Sequence, residues 1–331
     1  MHREVLNAGI VGTGACVPDR ILTNVELEQI IDTSSEWIFS RTGIQERRIT
    51  GPEQATSDLA TVAAGRALTD AGINPEEVDL VIVATSTPDM LMPATACIVQ
   101  DRLGIKKQAG AFDLAAGCTG FVHALTVGSQ FIAAGSCRTV LVIGAETLSK
   151  MLNWEDRSTC VLFGDGAGAV VLRPVPKDSG ILAFKLYSDG AGGPHLLIPA
   201  GGSRYPATRE TLDSKLHYLQ MNGREVFKFA VRVIEESAEE VLAAAGLNKT
   251  DIDFFIPHQA NIRIIEPAAR KLGIPMEKVL VNVNRYGNTS TASIPLALDE
   301  AVHEGRIKSG DYIVMVGFGA GLTWGSVVIK W

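Results

Sequence analysis

The stretch AGINPEEVDLVIV (71–83) returns later in the chain as AGLNKTDIDFFIP (245–257), and the two align without gaps. Each closes an Ala-rich segment with Ala-Gly, turns at Asn and enters a hydrophobic run through an acidic residue. Glycine just past a helix end, followed by a β-branched run, marks a helix-to-strand junction. Two such junctions in one chain point to two related halves. The matches stay collinear further out: VLVIGAE (140–146) pairs with IVMVGFG (313–319), and GAGAVVL (166–172) with TWGSVVI (323–329). Hydrophobic strands look alike by chance, so the first pair carries the argument. Around it, β-branched runs alternate with Ala/Leu-rich ones: VDLVIVATS (78–86), a helix near 93–103, GAFDLAAG (110–117), a helix near 119–135, and RTVLVIGAE (138–146). This alternation predicts a layered α/β fold with mostly parallel, buried strands. The halves are expected to meet near 173–180, giving units 1–173 and 174–331. The segment 174–224 is rich in Pro, Gly and His and reads as loop or insertion. No low-complexity tract or long linker separates the halves, which places a site where they meet.

Composition narrows the function classes. Of 331 residues, 46% are hydrophobic and 20% charged, the balance of a globular chain. Thirty-three glycines exceed a usual share of roughly 7%, and aromatics are only 6%, so packing is expected to rely on close backbone approach. A net charge of −7 disfavours nucleic acid as a partner for the surface as a whole. Cys16, Cys97, Cys118, Cys137 and Cys160 form no CxxC pair and are odd in number, which suits neither a disulfide framework nor a metal site. MHREVLNAG at the start has too short an apolar run for a signal peptide. The uncharged stretch Tyr312 to Ile329 is long enough to cross a membrane, yet its glycines among β-branched residues read as two buried strands around a tight turn. The chain is expected to be cytoplasmic, without membrane contact.

Three residues stand out for chemistry. GIVGTGACVPD (9–19) follows a strand like a dinucleotide fingerprint, but Val17 replaces the third glycine and Pro18 blocks the helix that would receive a pyrophosphate. Its glycines are expected to serve a turn. Cys118 sits between the run GAFDLAAG and the helix TGFVHALTVG, at a strand-to-helix turn flanked by Gly117 and Gly120. Helix-start N–H groups depress a thiol pKa, and the glycines permit a tight turn that presents the sulfur. Alone, Cys118 also fits a small buried apolar residue, the reading given to the other four. Its partners decide. In FFIPHQAN (254–261) a β-run stops at Pro257, placing His258 at a strand end, where open α/β sheets carry sites. His2, His217 and His303 read as surface residues, while His123 and His195 receive no role. Asn288 lies in NRYGNTSTAS (284–293), a loop closing into a helix, where a capping role is the alternative. Cys, His and Asn also make up papain-like proteases, but the local CGSCW pattern is missing and all three residues adjoin α/β strand ends.

GCTGF (117–121), FGDGAG (163–168), PHQAN (257–261), GNTS (287–290) and GFGAGLTWG (317–325) together resemble β-ketoacyl-acyl-carrier-protein synthase III of the thiolase superfamily, from about residue 8 to the end. Thiolases would need a second active-site Cys and elongating ketosynthases two His. Plant-type polyketide synthases share Cys-His-Asn but are longer, and hydroxymethylglutaryl-CoA synthases require a catalytic Glu for which no position is found. The resemblance implies a thiolase-like five-layer αβαβα sandwich. It implies decarboxylative condensation of an acyl-CoA primer with malonyl-acyl-carrier protein, starting fatty-acid synthesis, with no cofactor beyond the CoA substrate and no metal. Cys118 would carry the acyl group, and His258 and Asn288 would stabilise the enolate. The backbone N–H groups of Cys118 and Ala320, where most relatives carry Gly, would hold the oxyanion, with Phe318 as an apolar wall. Trp37 and Arg157 would sandwich the CoA adenine, with Arg41 and Asn261 also on CoA. Trp37 as a packing aromatic and Arg157 as a surface ion pair are the plainer readings. Met92 would shape the acyl pocket across a homodimer interface. Lys228, Arg263, Arg270 and Lys271 would flank the mouth where acidic carrier protein docks. Arg224, Lys228 and Arg232, at i, i+4 and i+8, form one basic stripe of a helix. A condensing enzyme of a specialised polyketide or quinolone-like pathway, and an inactive acyl-binding relative, are the alternatives.

Overall fold

Two mixed β-sheets organise the chain, of which a computed structural model describes residues 7–331. The first holds Asn7–Cys16 (β1), Leu80–Ala84 (β2), Gly110–Leu114 (β3), Val140–Thr147 (β4) and Asp165–Val175 (β5), in the order β1-β5-β4-β2-β3. The second holds Gly180–Ser188 (β6), Phe254–Pro257 (β7), Tyr312–Gly319 (β8) and Thr323–Lys330 (β9), in the order β7-β8-β9-β6. The helices that matter for the site are Ser35–Thr42 (α1), Thr56–Asp70 (α2), Thr95–Arg102 (α3), Gly120–Ala133 (α4), Gly223–Ala245 (α5), Ile262–Leu272 (α6) and Ser293–His303 (α7).

Alternation along the strands builds the layers. In β4, Val140 and Val142 face the interior between the sheets, with Phe121 and Leu125 of α4 and Leu298 of α7. Their neighbours Leu141 and Ile143 face outward onto Ala60, Ala63 and Ala67 of α2. In β8, Ile313 and Met315 face the same interior, whereas Val314 and Val316 meet Val233 of α5 and Ile265 of α6. The result is helix, sheet, helix, sheet, helix: α2 and α3 outside, α4 and α7 in the middle, α5 and α6 outside again. A strand buried on both faces reads as a continuous apolar run, which is why β4 and β8 are so evident in the sequence.

The internal repeat is structural. Gly72 and Gly246 both terminate helices in left-handed backbone (φ 63° and 71°), and Asn74 and Asn248 both precede a short 3-10 turn. The acidic residues then do the same work: Asp79 Oδ2 accepts from Arg138 N and Thr139 N at the start of β4, and Asp253 Oδ2 accepts from Tyr312 N at the start of β8.

Three expectations need correction. The sheets are mixed rather than mostly parallel: β4–β2, β2–β3 and β7–β8 run parallel, and the other four pairs antiparallel. Part of the cause is the three-residue turn between β8 and β9, which can only reverse the chain. The stretch 174–224 is not all loop, because β6 lies within it and pairs along β9. The glycines of GIVGTGACVPD sit inside β1, not at a turn. A Cβ on Gly14 would lie 2.3 Å from Ala63 O and one on Gly12 2.6 Å from Ala67 O, so the glycines let α2 lie directly on the strand. Residues 312–329 form β8 and β9, and among the described residues no helix is long and apolar enough to cross a membrane. His2 lies outside the described residues.

Candidate active site

Cys118 occupies the one-turn helix Gly117–Thr119 between β3 and α4. Gly117 has φ 53°, and a Cβ there would come within 3.0 Å of Ala320 N. The Cys118 turn and the β8–β9 turn are therefore pressed together, with the backbone of Cys118 and Ala320 side by side. Hydroxyls lace the two: Thr323 Oγ1 donates to Ala116 O (3.0 Å) and Ala320 O (2.9 Å), and Thr119 Oγ1 lies 3.0 Å from Thr323 Oγ1. The thiol is buried. Burial pushes it up to about 12, past the lowering by a hydrogen bond to Ser290, and the Glu146 carboxylate adds to the rise. The resting sulfur is thus a thiol, against the depressed pKa expected of a helix start.

His258 follows β7, and its N–H donates to Val316 O at 2.8 Å, continuing the parallel pairing onto β8. Its ring is buried, packs edge-on against Phe318 at 5.0 Å and places Nδ1 2.7 Å from Ser293 Oγ. Burial lowers its pKa to about 3, so the imidazole is neutral. Gln259 N also donates to Ser293 Oγ (3.3 Å). Ser293 Oγ keeps its hydrogen and a second lone pair for Nδ1; the assigned tautomer has the serine donating to Nδ1 and the proton on Nε2. Asn288 is fixed by its backbone: its N–H donates to Leu162 O (2.8 Å), and its C=O accepts from Gly164 N (3.0 Å). Its Oδ1 accepts from Ser290 N at 2.8 Å, which leaves the Nδ2 hydrogens free to turn into the cavity. Behind this loop the buried Arg47 donates to Leu22 O, Asn24 Oδ1 and Val161 O, holding the turn on which Asn288 rests.

Cys118, His258, Asn288, Phe318 and Gly319 line one cavity of about 160 Å³, closed by apolar residues such as Leu162, Phe163, Leu196 and Met221. Its polar groups are few and uncharged, the character of a site that orients a small ligand. Sequence reasoning missed Glu146 and Ser290, which lie behind the thiol. Glu146 ends a buried apolar strand, the one signal that could have marked it.

The chain matches 3-Oxoacyl-[acyl-carrier-protein (ACP)] synthase III over residues 112–190 and that family's C-terminal part over residues 242–331. It is 59% identical over 327 residues to a beta-ketoacyl-[acyl-carrier-protein] synthase III of Desulfitobacterium hafniense, covering 99% of this chain and 98% of the relative. The corresponding protein of Caldanaerobacter subterraneus is 58% identical over 328 residues, covering 99% of each. The crystal structure of 3-oxoacyl-[acyl-carrier-protein] synthase III from Aquifex aeolicus superposes with a TM-score of 0.90 at 49% identity, covering 98% of this chain and 100% of that one. The chain belongs to the β-ketoacyl-acyl-carrier-protein synthase III family. It is a condensing acyltransferase of fatty-acid biosynthesis with the thiolase-like fold.

The residues assigned to CoA gather at one place. Arg157 and Arg41 hold their guanidinium carbons 5.2 and 5.6 Å from the Trp37 ring centre, and Arg157 Nη1 donates to Asp32 O (2.9 Å). Asn261 lines the cavity, but its side chain is engaged: Nδ2 donates to Arg41 O (3.1 Å) and Oδ1 caps α6 by accepting from Arg263 N (2.9 Å). Met92 is 85% exposed and does not line its own chain's cavity. Lys228, Arg263, Arg270 and Lys271 are exposed on α5 and α6. Lys228 pairs with Glu225 (2.8 Å) and Lys271 with Glu235 (2.9 Å). Among the described residues Arg263 and Arg270 enter no ion pair.

Proposed function

We propose that the chain condenses an acyl-CoA primer, acetyl or short and branched, with malonyl-acyl-carrier protein in two half-reactions through an acyl-Cys118 intermediate. The products are β-ketoacyl-carrier protein, CoA and CO₂. The observation that carries this is the convergence of one thiol with two neutral hydrogen-bond donors, His258 Nε2 and Asn288 Nδ2, in a single apolar cavity. A sulfur nucleophile can take an acyl group from one thioester and pass it to carbon, because exchange between thioesters is nearly balanced. The backbone N–H groups of Cys118 and Ala320, brought together by the Gly117 contact, suit the tetrahedral oxyanion. In the second half-reaction malonyl C–CO₂ cleavage leaves an enolate, whose oxygen His258 and Asn288 would receive without bringing a competing negative charge. The enolate carbon then attacks the acyl carbonyl and Cys118 leaves as the thiolate. Phe318, packed on the His258 ring, keeps the malonyl carboxylate side apolar.

The nucleophile comes from the half 1–173, and the donors come from the half 174–331, in line with a site between them. The apolar loop Met90–Met92 is exposed, with Leu91 at 82%, which suits cover by a second copy in a homodimer and supports a role for Met92 in the partner's primer pocket.

Intact-mass measurement after mixing with acyl-CoAs tests the reading. One acyl group should appear on Cys118 and vanish in Cys118→Ala, which should retain some malonyl decarboxylation. His258→Ala and Asn288→Ala should show the reverse, accepting acyl groups while decarboxylation falls by about 10²-fold or more. Full decarboxylation in both would refute the assignment.

A further inference from the structure

Ser293 is the first residue of α7 and is buried, and among the described residues its hydroxyl has two hydrogen-bond partners. His258 Nδ1 lies 2.7 Å away, and Gln259 N–H donates to Ser293 Oγ at 3.3 Å. A serine hydroxyl has one hydrogen and two lone pairs. Two placements of the protons fit these distances. With the imidazole proton on Nδ1, Ser293 Oγ accepts twice, and its own hydrogen is left buried without an acceptor. With the proton on Nε2, the hydroxyl hydrogen goes to Nδ1, Gln259 keeps its acceptor, and Nε2–H is free for the cavity. An unpaired buried donor is the costly outcome, so the second placement is favoured.

The mount around this serine is itself tied down. Gln259 is fully buried: Nε2 donates to Pro257 O (2.7 Å) and Leu280 O (3.0 Å), and Oε1 accepts from Asn282 N (2.9 Å). Asn282 Nδ2 in turn donates to Glu300 Oε2 (2.9 Å), and Glu300 lies on α7 about two turns beyond Ser293. The hydrogen bonds thus leave α7 at Ser293 and return to it at Glu300, closing a circuit around the loop that carries His258.

We infer that Ser293 is the positioning residue that fixes His258 as a donor through Nε2 in the decarboxylation half-reaction. It touches no reacting atom. Donation from Ser293 to Nδ1 polarises the ring and makes Nε2–H the stronger donor to the enolate oxygen, because hydrogen bonds in a chain strengthen one another. No proton leaves the ring in this step. The same bond leaves His258 no lone pair with which to take the Cys118 proton, so its work is confined to malonyl-carrier protein.

This role rests on His258 acting as the enolate donor, and two readouts keep the two apart. ¹⁵N NMR of the imidazoles, with His258 identified by its loss in His258→Ala, reads the tautomer without turnover. At pH 7 Nε2 should carry the proton, and Nδ1 should be an unprotonated nitrogen that accepts a hydrogen bond. In Ser293→Ala the Nδ1 signal should move towards that of an imidazole without such a bond. The second readout is kinetic. Ser293→Ala should lower kcat for malonyl-carrier-protein decarboxylation about tenfold, the worth of one hydrogen bond, with KM unchanged and acylation of Cys118 by acetyl-CoA within about threefold. Ser293→Thr, which keeps the hydroxyl, should recover most of the loss. A proton on Nδ1 in the unsubstituted protein would overturn the role of Ser293. So would Ser293→Ala at the parent rate, equal loss of both half-reactions, or a threonine variant no better than alanine. If the unsubstituted protein neither takes an acyl group on Cys118 nor decarboxylates malonyl-carrier protein, the proposed function fails, and this role with it.

Discussion

Trp37 and Arg157 show how residue detail sharpens the reading of a motif. A base sandwiched between them needs two stacking contacts of about 3.5 Å each, more than the 5.2 Å that separates guanidinium carbon and ring centre. On the proposed sandwich, Arg157 would have to swing off Trp37 and give up its hydrogen bond to Asp32 O to admit the adenine. Arg157→Ala should raise KM for acyl-CoA about tenfold, the scale of a desolvated cation–π contact, and leave KM for an acyl-pantetheine thioester unchanged. An equal rise for both would place Arg157 away from the base. Glu146 and His258 set opposing pH dependences. His258, lowered from 6.5 to about 3, contributes fully above pH 6.5 and loses that contribution as pH falls towards 3. Glu146, raised from 4.5 to about 7, contributes fully below pH 4.5 and loses its contribution as pH rises through 7. Glu146→Gln should therefore gain stability relative to its parent across that window, by up to about 1.4 kcal/mol per pH unit. Urea midpoints measured from pH 4.5 to 8 check this, and parallel curves would contradict it. Cys118 and His258 were legible because each is an unusual residue at a strand end, whereas Asn288, expected beside one too, lies in a loop bridged to Phe163 and stood out through its motif GNTS. Ser290 was not, since a serine reads the same way in a solvated loop, nor was Glu146, whose one signal was its place at the end of a buried strand; only packing brings the two behind the thiol.

Elements were legible where their burial is uniform. β4 is buried at every position and β8 at all but its first, because helices cover both faces, whereas β6 is a sheet edge with mostly half-buried residues. Set within a window whose average is Pro, Gly and His, nine residues of modest alternation disappeared. The β1 glycines were misread for a related reason: glycine for close approach and glycine for a turn look identical in sequence, and the approaching helix is distant along the chain. Gly14→Ala should force α2 away from β1 and cost about 3 kcal/mol, seen as a lower denaturation midpoint. Gly202→Ala, where a Cβ meets nothing within 4 Å, should stay within about 0.5 kcal/mol.

Across the whole molecule the net charge is −7, and α5 and α6 together carry six basic residues against six acidic ones, so a basic rim there depends on how the charges are arranged rather than on a surplus. Exposure alone would rank the four proposed docking residues equally, but ion pairing does not. Lys228 and Lys271 are compensated by Glu225 and Glu235, so their fields at a distance are weakened, while Arg263 and Arg270 enter no ion pair among the described residues and share one neighbouring acid, Glu266. Arg263 also stands one turn or less from Asn261, whose side chain ties α6 to the end of α1, so a carrier protein gripping Arg263 would sit beside the residues proposed for CoA. Steering by such charges acts mainly on encounter and is screened by salt. Arg263→Glu and Arg270→Glu should each raise KM for malonyl-acyl-carrier protein several-fold at low ionic strength, more than Lys228→Gln or Lys271→Gln, and the difference should shrink as salt is added. Acyl-CoA kinetics should not change, because neither arginine side chain is among the groups proposed to hold CoA. If both substrates respond alike, the arginines act on the shared entrance rather than on the carrier. If neither responds, the cations are a solvated face, and docking must rest on the exposed apolar residues near the mouth, such as Phe227.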